Sequence, residues 1–540
     1  MENRTKYGII SFIIIFIVLI VGGISFYEAV WSFPGNFDII RNIPSEDLPL
    51  GIIPLMIIAL VGTGVFITIK LGLPQIKYLW HGLKVVSGRY DDPEDKGDLN
   101  HFKALSTALS ATVGIGNIAG VATAIYYGGP GALFWMWITA FFGTSLKFAE
   151  STLSLKYREY DSEGNTAGGP MYTIEKGLGK NWRWMAAAFA SFAIICSFAT
   201  GNAIQAFTVS DQIYSEFAQV IGTEAFLTHK IELFAGFAVS PLQFINGFVL
   251  VFIVGAVIIG GIKRIGNVTG FLTPFMAAFY FIAAVLILIA FSSELGNSFY
   301  LIFDYAFNPP AQIAGVSGGT FLVFMNSMLW GIKRGLYSNE AGQGSAPIAH
   351  STAKTKFPVR EGVVAMLGPY IDTIIICSLT GLAILSTGAW HHTQFYVERI
   401  DPNFTGELMN SSVLTAYAFK VGLAWLFPYG DKIITITVAL FAISTAISWS
   451  FYGDRSTKYL FGERAIPVYR WIFLFFVFFG AIAELEAVWG FGDAALGFMT
   501  FPNLIAIILL SGQLKKMTKE YFSVKHPTYE EILEQRKNEK

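Results

Sequence analysis

The strongest constraint on this chain is the recurrence of apolar runs about 20 residues long, the length a helix needs to cross a hydrocarbon layer of roughly 30 Å. About twelve occur, near 8–28, 50–70, 104–127, 131–155, 184–210, 244–262, 268–292, 317–336, 361–388, 432–452, 466–484 and 489–511. Of the 540 residues 54% are hydrophobic and 14% charged, against roughly 25% charged in soluble domains. The chain is therefore read as an all-α polytopic membrane protein, because helices satisfy their own backbone groups in lipid. No stretch between the runs is long enough for a separate enzyme domain.

The net charge of −1 says little, but the distribution of Lys and Arg says much. With the first residue inside, every Lys and Arg except Arg41, Lys230, Arg399, Lys420 and Lys432 falls on the inner side. This positive-inside split places the chain in the inner (plasma) membrane with both termini in the cytoplasm. The run after Arg4 and Lys6 has a second reading as a cleaved signal peptide, yet such peptides carry only 7–15 apolar residues; its length favours a retained span. Cys196 and Cys377 lie in apolar runs and offer no disulfide framework. The pair His391–His392 has no further ligands at metal spacing. Segments 211–243 and 389–431 are expected outside; the partly apolar Leu408–Phe427 is either a lid helix or a plain loop. The tail after Gln513 reads as a solvated cytoplasmic extension.

Within the run 104–127 stands Ala111-Thr-Val-Gly-Ile-Gly-Asn-Ile-Ala-Gly120. Gly116 and Gly120 could serve helix packing at GxxxG spacing. Gly114 and Gly116 point to different sides, however, so packing on one face does not explain both. Asn117 adds an amide that needs a partner. Two interior glycines cost roughly 1 kcal/mol each relative to alanine. Unwinding from about Thr112 to Asn117 would expose N–H groups that attract a carboxylate and carbonyls that attract a hard cation. Paired interrupted helices in inverted repeats are a transporter pattern. Five runs later, 317–336 leads into a stretch broken at Gly331, Gly335, Gly342 and Gly344. Here Lys333 and Arg334 are expected near the inner surface, and Glu340 receives no coupling role.

Other polar residues sit where lipid tolerates them badly. Asp372, half way along 361–388, costs at least ~2.5–3.5 kcal/mol on insertion scales; it is a cation ligand, a proton carrier, or a structural carboxylate held by neighbouring donors. Asn202 and Gln205 share a helical face and suit either a substrate or interhelical bonds. Ser444, Thr445 and Ser448 are hydroxyls suited to Na⁺, or bonded back to their own helix, and Trp449 can wall a small pocket. Lys147 and Glu150 are read as an ion pair at the inner boundary, and Glu484 and Glu486 fall at the outer boundary.

The segments TALSATVGIGNIAGVATAIYYGGPGALFWMW (107–137), GGPMYTIEKGLG (168–179), GNAIQAF (201–207), GIKRGLYSNEAGQGSAPIAH (331–350), GPYIDTIIICSLTG (368–381) and SWSFYGDRS (448–456) resemble the alanine or glycine:cation symporter family. The resemblance covers about residues 50 to 512 and implies a leucine-transporter-type fold. In it, two extra N-terminal helices and a loop (1–100) precede two inverted five-helix repeats (101–293 and 294–512) and a tail (513–540). It also implies Na⁺-coupled import of alanine or glycine, with Na⁺ as coupling ion and no organic cofactor; the alternatives are proton coupling through Asp372 and a transporter-like amino acid sensor without net transport. The carried-over substrate residues are Thr112, Gly114, Gly116, Asn117, Asn202, Gln205, Thr445 and Trp449. Na⁺ is expected at Asn117 with Asp372, and at first-helix carbonyls with Ser444, Thr445 or Ser448. Expected partners are the amino acid, Na⁺ and membrane lipid, not nucleic acid; no residue pattern fixes an oligomeric state.

Overall fold

The computed structural model describes residues 55–160, 164–234, 237–308, 320–391, 411–483 and 486–538. The expected first span at 8–28, together with Arg41, Arg399, His392 and Glu484, lies outside them. Helices occupy every expected run from 50–70 onward. Among the described residues, eight are long and apolar enough to cross a membrane, and a bent pair, His101–Thr112 with Gly116–Gly128, makes a ninth. The helix Leu55–Leu71 is shorter, at 17 residues. Two two-stranded hairpins are the sheet structure seen among these residues.

Local sequence sets several boundaries. Asn100 caps His101–Thr112 by accepting the Lys103 N–H at 3.0 Å. Ser240 and Gln243 form a reciprocal capping box ahead of Pro241–Ile258, with proline at the first turn where its missing N–H costs nothing. Helix Gly430–Phe461 is longer than the run 432–452, because its polar end is buried inside the bundle rather than exposed at a boundary. The last helix continues past Gln513 to Phe522, where Tyr521 and Phe522 pack on the body. The beginning of the tail is thus docked, its aromatic residues supplying apolar surface that a charge count overlooks.

The core assembles around His101–Thr112, Arg183–Phe198 and Gly430–Phe461 on one side and around Ala132–Lys156 and Pro358–Ala365 on the other. The first half of the bent pair, His101–Thr112, contributes residues to both groups. Helix Ser412–Leu423, within the region read as lid or loop, contacts the second half of that pair: Thr415 Oγ1 donates to the Ile118 carbonyl at 3.1 Å.

Candidate functional site

The helix breaks where its glycines predict. The first half ends at Val113 in extended backbone; the second begins with a wide π-type turn over Gly116–Gly120, and the halves meet at 55°. A Cβ on Gly114 would stand 3.1 Å from Thr445 Oγ1, and one on Gly116 would stand 3.4 Å from Ser338 Cα. Gly120 meets only Arg334 Cδ, at 3.9 Å. The packing account therefore covers Gly116 alone.

Hydroxyls of Gly430–Phe461 meet the carbonyl ends of the first half. Thr445 Oγ1 lies 3.2 Å from the Ser110 carbonyl and 3.5 Å from that of Ala111. Ser444 Oγ donates back to the Phe441 carbonyl of its own helix at 2.8 Å and lies 3.2 Å from the Ser110 carbonyl, while Ser110 Oγ donates to the Ser444 carbonyl at 2.8 Å. Ser448 is buried, its hydroxyl without a partner among the described residues. Hard oxygen atoms from two helices thus converge at the break.

Asn117 closes the other side. Its Oδ1 accepts the Gly114 N–H at 2.8 Å, and its Nδ2 donates to Asp372 Oδ1 at 2.6 Å and Ser338 Oγ at 3.0 Å. Ser338 and Thr373 hydroxyls donate to Asp372 Oδ2 at 2.8 and 2.7 Å. The sequence-predicted pair Asn117–Asp372 is brought together, with both carboxylate oxygens already bonded. Thr380 Oγ1 adds a bond to the Asn117 carbonyl at 2.8 Å.

A cavity of about 320 Å³ opens beside the break, lined by Thr112, Gly114, Gly116, Gln205, Thr445 and Trp449. Trp449 fits because Gly201 has no side chain: a Cβ there would fall 2.4 Å from the tryptophan. Gln205 donates to the Thr200 carbonyl at 3.0 Å and leaves Oε1 unbonded among the described residues. Asn202 turns away from the cavity and donates to the Phe473 carbonyl at 2.7 Å. Asn202 and Gln205 border one small gap between this helix and its neighbours, and of the two Gln205 alone also lines the main cavity.

Two wall residues were misplaced by the sequence reading. Arg334, expected near the inner surface, lines this cavity one turn beyond Ser338. The open space, and the Trp330 ring 5.5 Å from its guanidinium, accommodate a charge at that depth. Glu340, given no role, lines the same cavity, buried and in left-handed backbone at φ 51°. Ser345 Oγ donates to it at 2.5 Å, and it also hydrogen-bonds Trp449. Strained backbone at a non-glycine residue persists where surroundings impose it, often at functional sites. Lys147 and Glu150, 3.7 Å apart, pair as the sequence suggests and are buried inside the bundle. They brace this second break: Asn503 Nδ2 donates to Glu150 Oε2 at 2.8 Å and to the Gly342 carbonyl at 2.9 Å.

The end of the bundle away from the cavity mouth is shut. Glu361 is bonded by His350 Nδ1 at 2.5 Å and by His101 Nδ1, all three buried. Arg158 reaches the carbonyls of Lys96, Ser351, Ala353 and Thr355 at 2.6–2.9 Å.

Comparison with known proteins gives a concordant picture. The model of the sodium:alanine symporter family matches residues 45–535. The chain is 42% identical to the sodium/alanine symporter AgcS of Methanococcus maripaludis, over 87% of this chain and 95% of that protein. It is 32% identical to the probable sodium/glutamine symporter GlnT of Bacillus subtilis, over 86% and 87%. With the sodium/proton-dependent alanine carrier protein of Bacillus sp. it shares 31% identity over 78% and 88%.

Proposed function

This chain belongs to the sodium:alanine symporter family, which makes it a sodium-coupled amino-acid transporter and not an enzyme, and we propose that it imports alanine or glycine across the plasma membrane by alternating access, its termini cytoplasmic. One observation carries the site: the Ser444 and Thr445 hydroxyls lie against the Ser110 and Ala111 carbonyls at the break that borders the cavity. Unwound carbonyls with hydroxyls suit Na⁺, and the positive end of a half-helix suits a carboxylate. We assign Na⁺ to the carbonyl side. Because Asn117 occupies the Gly114 N–H, the substrate carboxylate falls to the N–H groups of Ile115 and Gly116. Its ammonium faces Glu340 and the unbonded Gln205 Oε1, and Trp449 limits its side chain.

Asp372, bonded through both oxygens, is assigned to clasp Asn117 rather than to hold the coupling ion. Na⁺ at the break organises the backbone that receives the substrate, and linkage requires the substrate to tighten Na⁺ by the same factor. Each Na⁺ entering contributes about 2.3 kcal/mol per 100 mV. The leucine-transporter-type arrangement of inverted repeats is part of this reading, supported by the two interrupted segments that meet at Asn117 and Ser338.

Radiolabelled alanine uptake into proteoliposomes, with Na⁺ and H⁺ gradients imposed separately, tests the proposal. Accumulation is expected with the Na⁺ gradient alone. Uptake that follows the proton gradient and ignores Na⁺ would overturn the coupling assignment.

A further inference from the structure

The chain turns sharply on leaving Leu55–Leu71. Gly72 and Leu73 both take left-handed backbone, φ 69° and 59°, which a leucine adopts only when its surroundings impose it. Two short helices follow, Pro74–Lys77 and Leu79–Val86. One face of them is fixed to the body. Gln75 Nε2 donates to Thr68 Oγ1 at 3.0 Å, the Tyr78 ring stacks on Phe522 at 3.8 Å, and a Cβ on Gly82 would stand 2.4 Å from the Val363 carbonyl oxygen.

Among the described residues, nothing covers the opposite face. Leu73, Ile76, Trp80 and Leu83 are 47, 62, 74 and 41% exposed, and their spacing of three or four residues puts them on one helical face. Lys77 and Lys84, also exposed, run along its edge, and neither has a carboxylate partner among the described residues. From Lys70 to Tyr90 the sequence carries Lys70, Lys77, Lys84 and Arg89 and no Asp or Glu. Helix Gly261–Ala290 makes the contrast: it exposes Phe271, Phe275, Ile282 and Ile289 with no cation among them, as contact with acyl chains requires. An exposed apolar stripe edged with lysine and centred on a tryptophan instead suits the boundary between headgroup and chain.

We propose that residues 73–84 lie in the plane of the membrane surface at the Lys- and Arg-rich end of the bundle. There Lys77 and Lys84 bind anionic phospholipid headgroups while Leu73, Ile76, Trp80 and Leu83 enter the acyl chains. By the positive-inside rule this is the cytoplasmic leaflet. Gly82 lies against the Val363 carbonyl, so the lipid-binding face is carried on residues that touch Pro358–Ala365, the segment that carries Glu361.

The test is independent of transport. The full chain is placed in vesicles containing brominated phosphatidylglycerol or brominated phosphatidylcholine, and the Trp80 fluorescence is taken as the difference between wild type and W80F. Half-quenching is expected at a lower fraction of the anionic lipid, by about fivefold for each lysine and so up to about 25-fold for the two, and the preference shrinks at high salt. The double variant K77Q/K84Q brings the two curves together. Superimposed curves in the wild type would reduce the face to ordinary lipid contact and overturn the proposal. Absence of quenching by either lipid would overturn it too, by showing the face covered by protein.

Discussion

The two ends of the broken helix differ in what their polar groups touch. At the cavity end, Gln205 Oε1, Thr200 Oγ1 and Arg334 Nε have no hydrogen-bond partner among the described residues, and open space lies beside them. At the shut end, Glu361 is held by two histidines and Arg158 is bonded to four carbonyls. A loose contact remains there, His101 Nε2 with Asp91 Oδ1 at 4.0 Å. Unpaired polar groups inside a membrane are costly, so the first end is shaped to be completed by a ligand and the second is nearly complete in itself. The protein is seen open to one side, and opening the other means separating groups that already satisfy each other.

The comparison breaks most visibly at Glu361. Glu361→Ala leaves two buried histidines facing an empty space and should cost about 3–5 kcal/mol, seen as a lowered melting temperature. Glu361→Gln, which keeps size and one acceptor, should melt closer to wild type yet label faster at cysteines introduced near Ala353. Equal labelling of the two proteins would remove Glu361 from the closure.

A smaller effect is expected at the cavity end. Gly201→Ala forces Trp449 to move, at about 1–3 kcal/mol, and the cavity that Trp449 lines offers the open space for it. Glycine should then be accepted while alanine is disfavoured roughly tenfold, within the range one methyl group commands. Competition uptake reads the ratio, and an unchanged ratio would detach Trp449 from substrate size.

The smallest effect concerns the docked tail. His81 bonds the Tyr521 hydroxyl at 2.8 Å, and burial, with Arg360, His526 and Lys84 nearby, lowers its pKa from 6.5 to about 4. The folded state therefore binds fewer protons than the unfolded one between these values, so this contact loses stability as pH falls from about 6.5 toward 4. Protection factors over residues 514–531, taken relative to the intrinsic exchange rate at each pH, should fall across that window in wild type and much less in His81→Phe.

Much of the site was legible because lipid makes certain residues conspicuous. Gly114, Gly116 and Asn117 have no good reason to interrupt an apolar run, and Asp372 demanded a partner that proved to be Asn117. The hydroxyls of Ser444 and Thr445 stood out for the same reason. Arg334 and Glu340 were not legible, since positive charge normally marks a surface and only the fold reveals a polar cavity at depth. His101, His350 and Glu361 gave no signal either, because His101 is 260 positions from the carboxylate it meets. Asn202 bonds a neighbouring helix and stays out of the main cavity, a choice between its two readings that helical spacing leaves open.

The central claim is that Na⁺ and substrate meet at the break through Thr445, with Asp372 serving as a clasp. Equilibrium binding of alanine at a series of Na⁺ concentrations, in wild type, Thr445→Ala and Asp372→Asn, tests it directly. The account predicts that Thr445→Ala raises the Na⁺ needed for half-maximal binding about tenfold, a loss of about 1.4 kcal/mol, and that Asp372→Asn lowers stability while leaving the Na⁺ dependence in place. Sodium dependence unchanged in Thr445→Ala and abolished in a folded Asp372→Asn would contradict it.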